Sequence, residues 1–109
     1  MPDIDVLLRT MAAAEASDLH LTTGFPPFIR VHGDMAPIAG LAPLTSERCE
    51  SLLAEIMPAD SRKEFEDRSD TDLAYELDGV GRFRVNVFRD RFGVRSEERR
   101  VGKECRSRW

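Results

Sequence analysis

The fold is decided by residues 17–34, which read SDLHLTTGFPPFIRVHGD. Leu19 and Leu21 alternate with polar residues, which is the period-two pattern of a strand with one buried face. The glycine and the two prolines that follow exclude a helix and predict a turn. Residues 28–32 predict a second strand, and Gly33 a tight turn into a third. This stretch therefore predicts an antiparallel meander.

A helix is predicted before the meander and two helices after it. Behind Asp3, which can cap a first turn, apolar residues recur at i, i+3, i+4 and i+7. Thr45 is placed to cap a second helix, whose apolar face runs from Cys49 to Met57. A third helix, short and highly charged, is predicted at 59–67. The stripe of the first helix consists of Ile4, Leu7, Leu8 and Met11.

Two further strands are predicted at 72–77 and 82–89, because apolar and polar residues alternate again. One face of the second strand carries Phe83, Val85 and Val87, and the other Arg82, Arg84 and Asn86. Together the elements predict an α+β fold, with an antiparallel sheet of about five strands and helices packed on one face.

The composition indicates one small globular domain, because the chain has 109 residues and 41% of them are apolar. No run of about 18 apolar residues occurs, so no membrane-spanning helix is predicted. The acidic start of the chain lacks the apolar segment of a secretory signal. Cys49 and Cys105 do not make a disulfide framework, so the cytoplasm is the expected location.

Residues 95–109 are expected to lie outside the fold. All fifteen match the in-frame translation of a common sequencing-adapter DNA, so we interpret them as a non-native tail and expect it to be disordered. The alternative is a basic arm for nucleic acid or anionic lipid. Without the tail's six basic and three acidic residues, residues 1–94 keep 10 basic and 17 acidic residues, a net charge of −7. That charge repels nucleic acid, which is therefore not an expected partner.

Short motifs along most of residues 1–94 carry a family resemblance. They are ASDLHL at 16–21, Gly24, Pro26-Pro27, Arg30-Val31, Gly33-Asp34, Pro43-Leu44, Ile56-Met57, RKEFE at 62–66, DTD at 70–72 and GRFRVN at 81–86. In this order and spacing they resemble the N-terminal domain of the hexameric PilT-like ATPases that retract type IV pili. The resemblance implies a PAS-like domain. The family pattern continues into one more strand after Val94, so we expect this domain to be incomplete, with its last strand missing, and poorly stable.

The resemblance also implies a function. In the family, ATP hydrolysis by a cytoplasmic homo-hexamer drives pilus retraction and twitching motility, and pilus inner-membrane motor proteins are partners. ATP and Mg²⁺ are held by a C-terminal ATPase domain, to which this piece would add part of the subunit interface. The sequence has no Gly-x-x-x-x-Gly-Lys-Ser/Thr loop. Without that phosphate-binding loop, we expect neither ATP hydrolysis nor a cofactor in this piece alone.

Arg84 and Arg82 are the candidate nucleotide-binding residues. Separated by one residue, they can present two guanidinium forks from one face of a strand, and such forks suit phosphate oxygens. The resemblance implies that arginines of this domain reach the nucleotide at the cleft with the ATPase domain, and the motif FRVN at 83–86 places Arg84 most directly. The alternative is that both pair across the sheet with acidic residues, which are Asp70, Asp72 and Glu76.

A metal site is conceivable but not predicted. Asp18 and His20 share one strand face and His32 and Asp34 share another, so the four could meet if the strands pair in the right register. Their spacing fits no standard zinc pattern, and we assign His20 no catalytic role.

Asp70, Asp72 and Glu76 could also suggest paired carboxylates for acid–base chemistry, but acidic strand faces are usually solvated. Cys49 lies on the apolar stripe of its helix and is interpreted as a small buried hydrophobe. No catalytic residue is therefore predicted.

Several alternative functions stay open at this point. Two are related ATPases: an accessory PilU-like retraction ATPase, and the N-domain of a type II secretion or pilus-assembly ATPase. Residues 17–21 favour the retraction type. A stand-alone PAS-like binding module would need an enclosed apolar pocket. A small metalloenzyme would need a tightly held ion at the histidine and aspartate set.

Overall fold

The computed structural model describes residues 3–91 and 93–103, which form three helices and six strands. The helices are α1 (Asp3–Ala13), α2 (Ser46–Ala54) and α3 (Ala59–Arg68). The strands are β1 (Asp18–Thr22), β2 (Phe28–Val31), β3 (Asp34–Pro37), β4 (Asp70–Leu77), β5 (Gly81–Asp90) and β6 (Gly93–Lys103). The predicted α+β class is confirmed.

The first three strands form the predicted meander. Asp18 of β1 lies opposite Arg30 of β2, which in turn lies opposite Met35 of β3. The turn between β2 and β3 holds His32 at φ 52° and Gly33 at φ 84°. Glycine adopts this left-handed conformation without a Cβ clash, which is why this two-residue turn can close.

The sheet has the strand order β3-β2-β1-β6-β5-β4, and all neighbouring strands are antiparallel. The sequence predicted about five strands with the last one missing, and placed residues 95–109 outside the fold. The structure differs, because Gly93–Lys103 forms a sixth strand between β1 and β5. The physical reason is that β1 and β5 would each present unpaired backbone N–H and C=O groups, which an extended segment between them satisfies. Residues 104–109 lie outside the described residues.

The core lies between the helices and one face of the sheet. Phe83, Val85 and Val87 of β5 are fully buried, whereas Arg82 and Arg84 are exposed, so the predicted faces of this strand are confirmed. The helices and β1 supply most of the other fully buried side chains, which are Ile4, Leu8, Met11, Leu19, Leu21, Cys49 and Leu53. The helices thus cover one face of the sheet and leave the other open.

The predicted start of α2 is confirmed, but its end differs. The hydroxyl of Thr45 accepts a hydrogen bond of 3.0 Å from the backbone N–H of Arg48, which satisfies one of the free donors of the first turn. The helix ends at Ala54 instead of continuing to Met57. Pro58 follows, and a residue before proline is disfavoured in the helical conformation.

Candidate functional site

Arg82 and Arg84 project from β5 on the face of the sheet that the helices leave open. Arg84 lies opposite Ala74 on β4 and Arg99 on β6, and Arg82 lies opposite Glu76 on β4. Both arginines are exposed. The two guanidinium groups therefore share one solvent-facing surface, as the strand alternation predicted.

The cross-strand ion pairs that were the alternative role of these arginines do not form. Within residues 3–91 and 93–103, neither guanidinium group lies within the 4.0 Å of a carboxylate that defines an ion pair. Asp72, a candidate partner, instead accepts a hydrogen bond of 2.8 Å from the side-chain amide of Asn86. Arg82 and Arg84 are thus not engaged by the acidic residues of β4.

Arg89, near the end of the same strand, differs from Arg82 and Arg84 because its side chain contacts the helices. Its guanidinium group lies 4.5 Å from the centre of the Phe65 ring and 4.0 Å from a carboxylate oxygen of Glu50. These contacts give Arg89 a packing role against α2 and α3. Arg84 has no such role on the open face.

A shallow depression of about 180 Å³ surrounds Arg84 on this face. Its lining residues are Asp18, Asp72, Arg84, Asn86, Glu97 and Arg99. A phosphate group there would meet two guanidinium groups but also three carboxylates, so the depression by itself does not favour an anion. Arg84 can contribute to a phosphate site only if another domain supplies most of that site.

His20 lies on the same face but not in a metal site. Its ring nitrogens are 4.0 Å from Asp18 and 3.8 Å from Glu97. His32 lies apart from them, in the turn between β2 and β3. In the described part of the chain, no group of three or more His, Cys, Asp or Glu side chains could hold a metal ion. The two histidines and two aspartates considered from the sequence therefore do not converge.

Cys49 is fully buried on α2. Burial raises the pKa of its thiol above the usual value, although a hydrogen bond with the side chain of Thr23 acts in the opposite direction. The thiolate is the nucleophilic form of cysteine, and this environment disfavours it. The prediction that Cys49 is a small buried hydrophobic residue agrees with its burial on α2.

The sequence reasoning missed a polar pair inside the domain. The Tyr75 hydroxyl donates a hydrogen bond of 2.6 Å to Oδ1 of Asp5, whose residue surface is only 7% exposed. Burial, followed by this hydrogen bond, raises the pKa of Tyr75 to about 12. A signal was present, because Asp5 lies three residues before Leu8 and so borders the apolar stripe of α1.

A second cavity is an apolar groove of about 400 Å³ beside α1, α2 and the loop at 39–44. Its lining residues are Asp3, Val6, Leu7, Pro27, Leu41, Ala42, Pro43, Leu44, Arg48 and Leu52. Val6 and Leu41 are 50% and 42% exposed, so the groove opens to solvent. It lacks the enclosure that a stand-alone binding module would need.

None of the described helices is both long enough and apolar enough to cross a bilayer.

The chain is similar in sequence to three curated proteins, two of which are named as type IV pilus ATPases. It is 46% identical over 92 residues to the type IV pilus retraction ATPase PilT of Pseudomonas aeruginosa, a match that covers 84% of this chain and 26% of that protein. It is 32% identical over 99 residues to the type IV pilus ATPase PilU of the same species, a match that covers 91% of this chain and 26% of PilU. It is 35% identical over 82 residues to a twitching motility protein of Neisseria gonorrhoeae, a match that covers 75% of this chain and 22% of that protein. The chain spans about a quarter of the length of these relatives.

The fold is also found in solved structures. A crystal structure of the pilus retraction motor PilT with bound ADP matches with a TM-score of 0.85 and 28% identity, over 95% of this chain and 30% of that one. The ATPase DotB of Legionella pneumophila shares the fold with a TM-score of 0.75 and 22% identity. This match covers 94% of this chain and 29% of the DotB chain. No protein-family model matches the chain. The sequence matches and the shared fold together show that this chain belongs to the family of PilT-like type IV pilus ATPases.

Proposed function

We propose that this chain is the N-terminal part of a pilus retraction ATPase subunit, in which Arg84, with Arg82 beside it, reaches the nucleotide held by a C-terminal ATPase domain. The single observation that carries the proposal is the pair of exposed arginines on the open sheet face, which form no cross-strand ion pair with any residue that the structure describes. The 46% identity to a retraction ATPase supplies the context.

The chemistry fits a positioning role. A guanidinium group offers a rigid fork of N–H donors that bridges two phosphate oxygens, and it neutralises charge that develops during phosphoryl transfer. An arginine placed in this way can contribute about 10³–10⁵-fold to the rate. ATP and Mg²⁺ would be held by the phosphate-binding loop of the C-terminal domain, a loop that this sequence lacks. The chain alone is therefore inactive in this proposal.

The assembly follows from the same proposal. The intact subunit forms a homo-hexamer in the cytoplasm, powers twitching motility and works with inner-membrane motor proteins of the pilus. Support comes from relatives that are a retraction ATPase and a twitching motility protein. The retraction type is preferred over the accessory type because identity to PilT is 46% and identity to PilU is 32%.

We also propose that residues 95–109 are a non-native segment joined to an incomplete PAS-like domain. The inward-facing residues of β6 support this, because Ser96 and Glu98 are buried without a side-chain hydrogen-bond partner in the described part of the chain. A strand shaped for this sheet would carry apolar residues at those positions. Genomic DNA beyond the codon for Val94 tests the proposal. It should continue in frame into another strand and a phosphate-binding loop, and a genomic stop codon after Trp109 would contradict it.

The role of Arg84 is tested in a chimera. Residues 1–94 of this chain replace the corresponding region of the P. aeruginosa PilT, and ATP turnover is measured together with the hexamer fraction by light scattering. Arg84→Ala should lower kcat by at least about tenfold while the hexamers persist. The matched control is Arg68→Ala, because the Arg68 side chain is 74% exposed on α3, and its turnover should not change. Normal turnover of the Arg84→Ala hexamer would overturn the proposed role.

A further inference from the structure

Glu98 occupies an unusual position at the centre of the sheet. It lies on β6 between Leu19 of β1 and Val85 of β5, and its exposed fraction is 0%. Neither of its carboxylate oxygens has a hydrogen-bond partner among the described residues. The nearby Ser96 hydroxyl and, to a smaller extent, the backbone N–H of Glu98 favour the charged form and oppose the effect of burial, but neither makes a hydrogen bond of acceptable geometry to the carboxylate. A charged carboxylate in this place is therefore uncompensated.

Among the described residues, β1, β5 and α2 place no positively charged side chain against Glu98. The inward residues of β1 are leucines, and those of β5 beside it are Phe83, Val85 and Val87. From α2 the titratable group nearest Glu98 is Cys49, whose ionised thiolate would be repelled by a charged Glu98. On β6 itself, Glu97 adds a repulsive effect from the other face.

Arg100 does not supply the missing charge either. It follows Glu98 by two residues on the same side of β6, but its guanidinium group donates a hydrogen bond of 3.0 Å to the backbone carbonyl of Val80. It lies outside ion-pair distance of Glu98, since no such pair occurs among the described residues. Burial, with the repulsion from Glu97, raises the pKa of Glu98 to about 8.

We propose that β6 is a pH-sensitive strand, which completes the sheet while the Glu98 carboxyl is protonated and is released from β1 and β5 when that carboxyl ionises. Hydration of the charged carboxylate then replaces an uncompensated charge in the core. The sheet order makes the effect large, because β6 is the strand that joins the meander β3-β2-β1 to the hairpin β5-β4. The inference concerns this chain as it stands and does not depend on the proposed role of Arg84.

Amide hydrogen exchange of the 109-residue chain tests the proposal. Protection of the amides at 94–100 is compared at pH 6 and pH 9, after correction for the intrinsic pH dependence of exchange. The amides of α3 are the internal reference, since that helix packs mainly on β4. Protection of β6 should fall by about tenfold or more, as expected for a carboxyl that ionises between these values, while protection of α3 changes little.

Two variants and one control assign the effect. Glu98→Gln should remove the pH dependence of β6 protection, and Glu98→Leu should remove it without leaving a polar group in the core. Glu97→Gln, on the open face, should keep the pH dependence of β6 protection, with its midpoint moved only slightly to lower pH because the repulsion from Glu97 is removed. Three results would overturn the proposal: β6 protection that does not change with pH, equal loss of protection in α3 and β6, or loss of the pH dependence in Glu97→Gln.

Discussion

Tyr75 on β4 and Asp5 on α1 are joined by a hydrogen bond of 2.6 Å between side chains that are 70 residues apart in the sequence. The bond ties the outermost strand of the hairpin to the first helix. It also satisfies one oxygen of a carboxylate that is almost fully buried.

Tyr75→Phe should therefore lower the free energy of unfolding by about 1.5–3 kcal/mol, because it leaves the buried Asp5 carboxylate without this partner. Urea denaturation at pH 7 measures the change. The matched control is Asp72→Ala, which removes an exposed side-chain hydrogen bond to Asn86 and should cost less than about 0.5 kcal/mol. Equal losses in the two variants would contradict the structural role of the pair.

The titration of Tyr75 provides a second prediction. It is the sole tyrosine of the chain, so the absorbance change of phenolate formation reports on one residue. The folded pKa of about 12 lies above the unfolded value of 10.0. The stability that the protonated phenol contributes is thus fully present below about pH 10 and is lost as the pH rises through about 12. Asp5→Asn should bring the absorbance transition back toward pH 10.

Glu98→Leu should stabilise the chain at neutral pH. The folded pKa of about 8 exceeds the unfolded value of 4.5, so the contribution of Glu98 is greatest below about pH 4.5 and falls as the pH rises toward 8. At pH 7 this shift destabilises the fold by on the order of 3 kcal/mol relative to acid. Thermal unfolding at pH 7 should show a midpoint at or below the mesophilic range of about 45–65 °C, and Glu98→Leu should raise it by several degrees.

The control for that experiment is Glu97→Leu, on the open face of the same strand. It should leave the midpoint nearly unchanged or lower it. A cooperative transition of the unsubstituted chain well above about 65 °C would contradict the expectation of poor stability.

The end of α3 offers a simple stabilising substitution. Ser69 caps this helix in the left-handed conformation, with φ 66°, which is costly for a residue with a Cβ atom. Ser69→Gly should raise the free energy of unfolding by about 0.5–1 kcal/mol in urea denaturation. Glu66→Gly, within the same helix, should lower it by a similar amount. A loss of stability in Ser69→Gly would show that its side chain compensates for the strained backbone.

Thr45→Ala should destabilise α2 by about 1 kcal/mol, since the Arg48 N–H loses its acceptor. Thr10→Ala is the matched control, because the Thr10 hydroxyl bonds back to the carbonyl of Val6 within α1 and caps nothing. It should be neutral or slightly stabilising, as alanine is the better helix former. Urea denaturation distinguishes the two, and equal effects would contradict a capping role for Thr45.

Local patterns predicted much of this fold. Alternation placed Leu19 and Phe83 inward and Arg84 outward, and both assignments are confirmed by burial. The helix cap at Thr45 could also be predicted from the sequence, because capping depends on residues within one turn of the helix. These features follow from short-range periodicity, which a single sequence displays directly.

The remaining features depend on contacts between distant segments. The Asp5–Tyr75 pair needs α1 and β4 to meet, which no local pattern specifies. The central position of β6 was missed because residues 95–109 were interpreted as a non-native tail from their match to adapter DNA, and the polar Ser96 and Glu98 gave no apolar alternation to suggest otherwise. The role of Arg84 stays a prediction, since its expected nucleotide partner would come from another domain.

The strand order also has a consequence for how the chain folds during synthesis. β6 is the last strand of the described chain to leave the ribosome, yet it occupies the middle of the sheet. The two sub-sheets that precede it, β3-β2-β1 and β5-β4, cannot join before it emerges. Until β6 is in place, the edges of β1 and β5 are both unpaired, and exposed edges of this kind favour pairing with other chains.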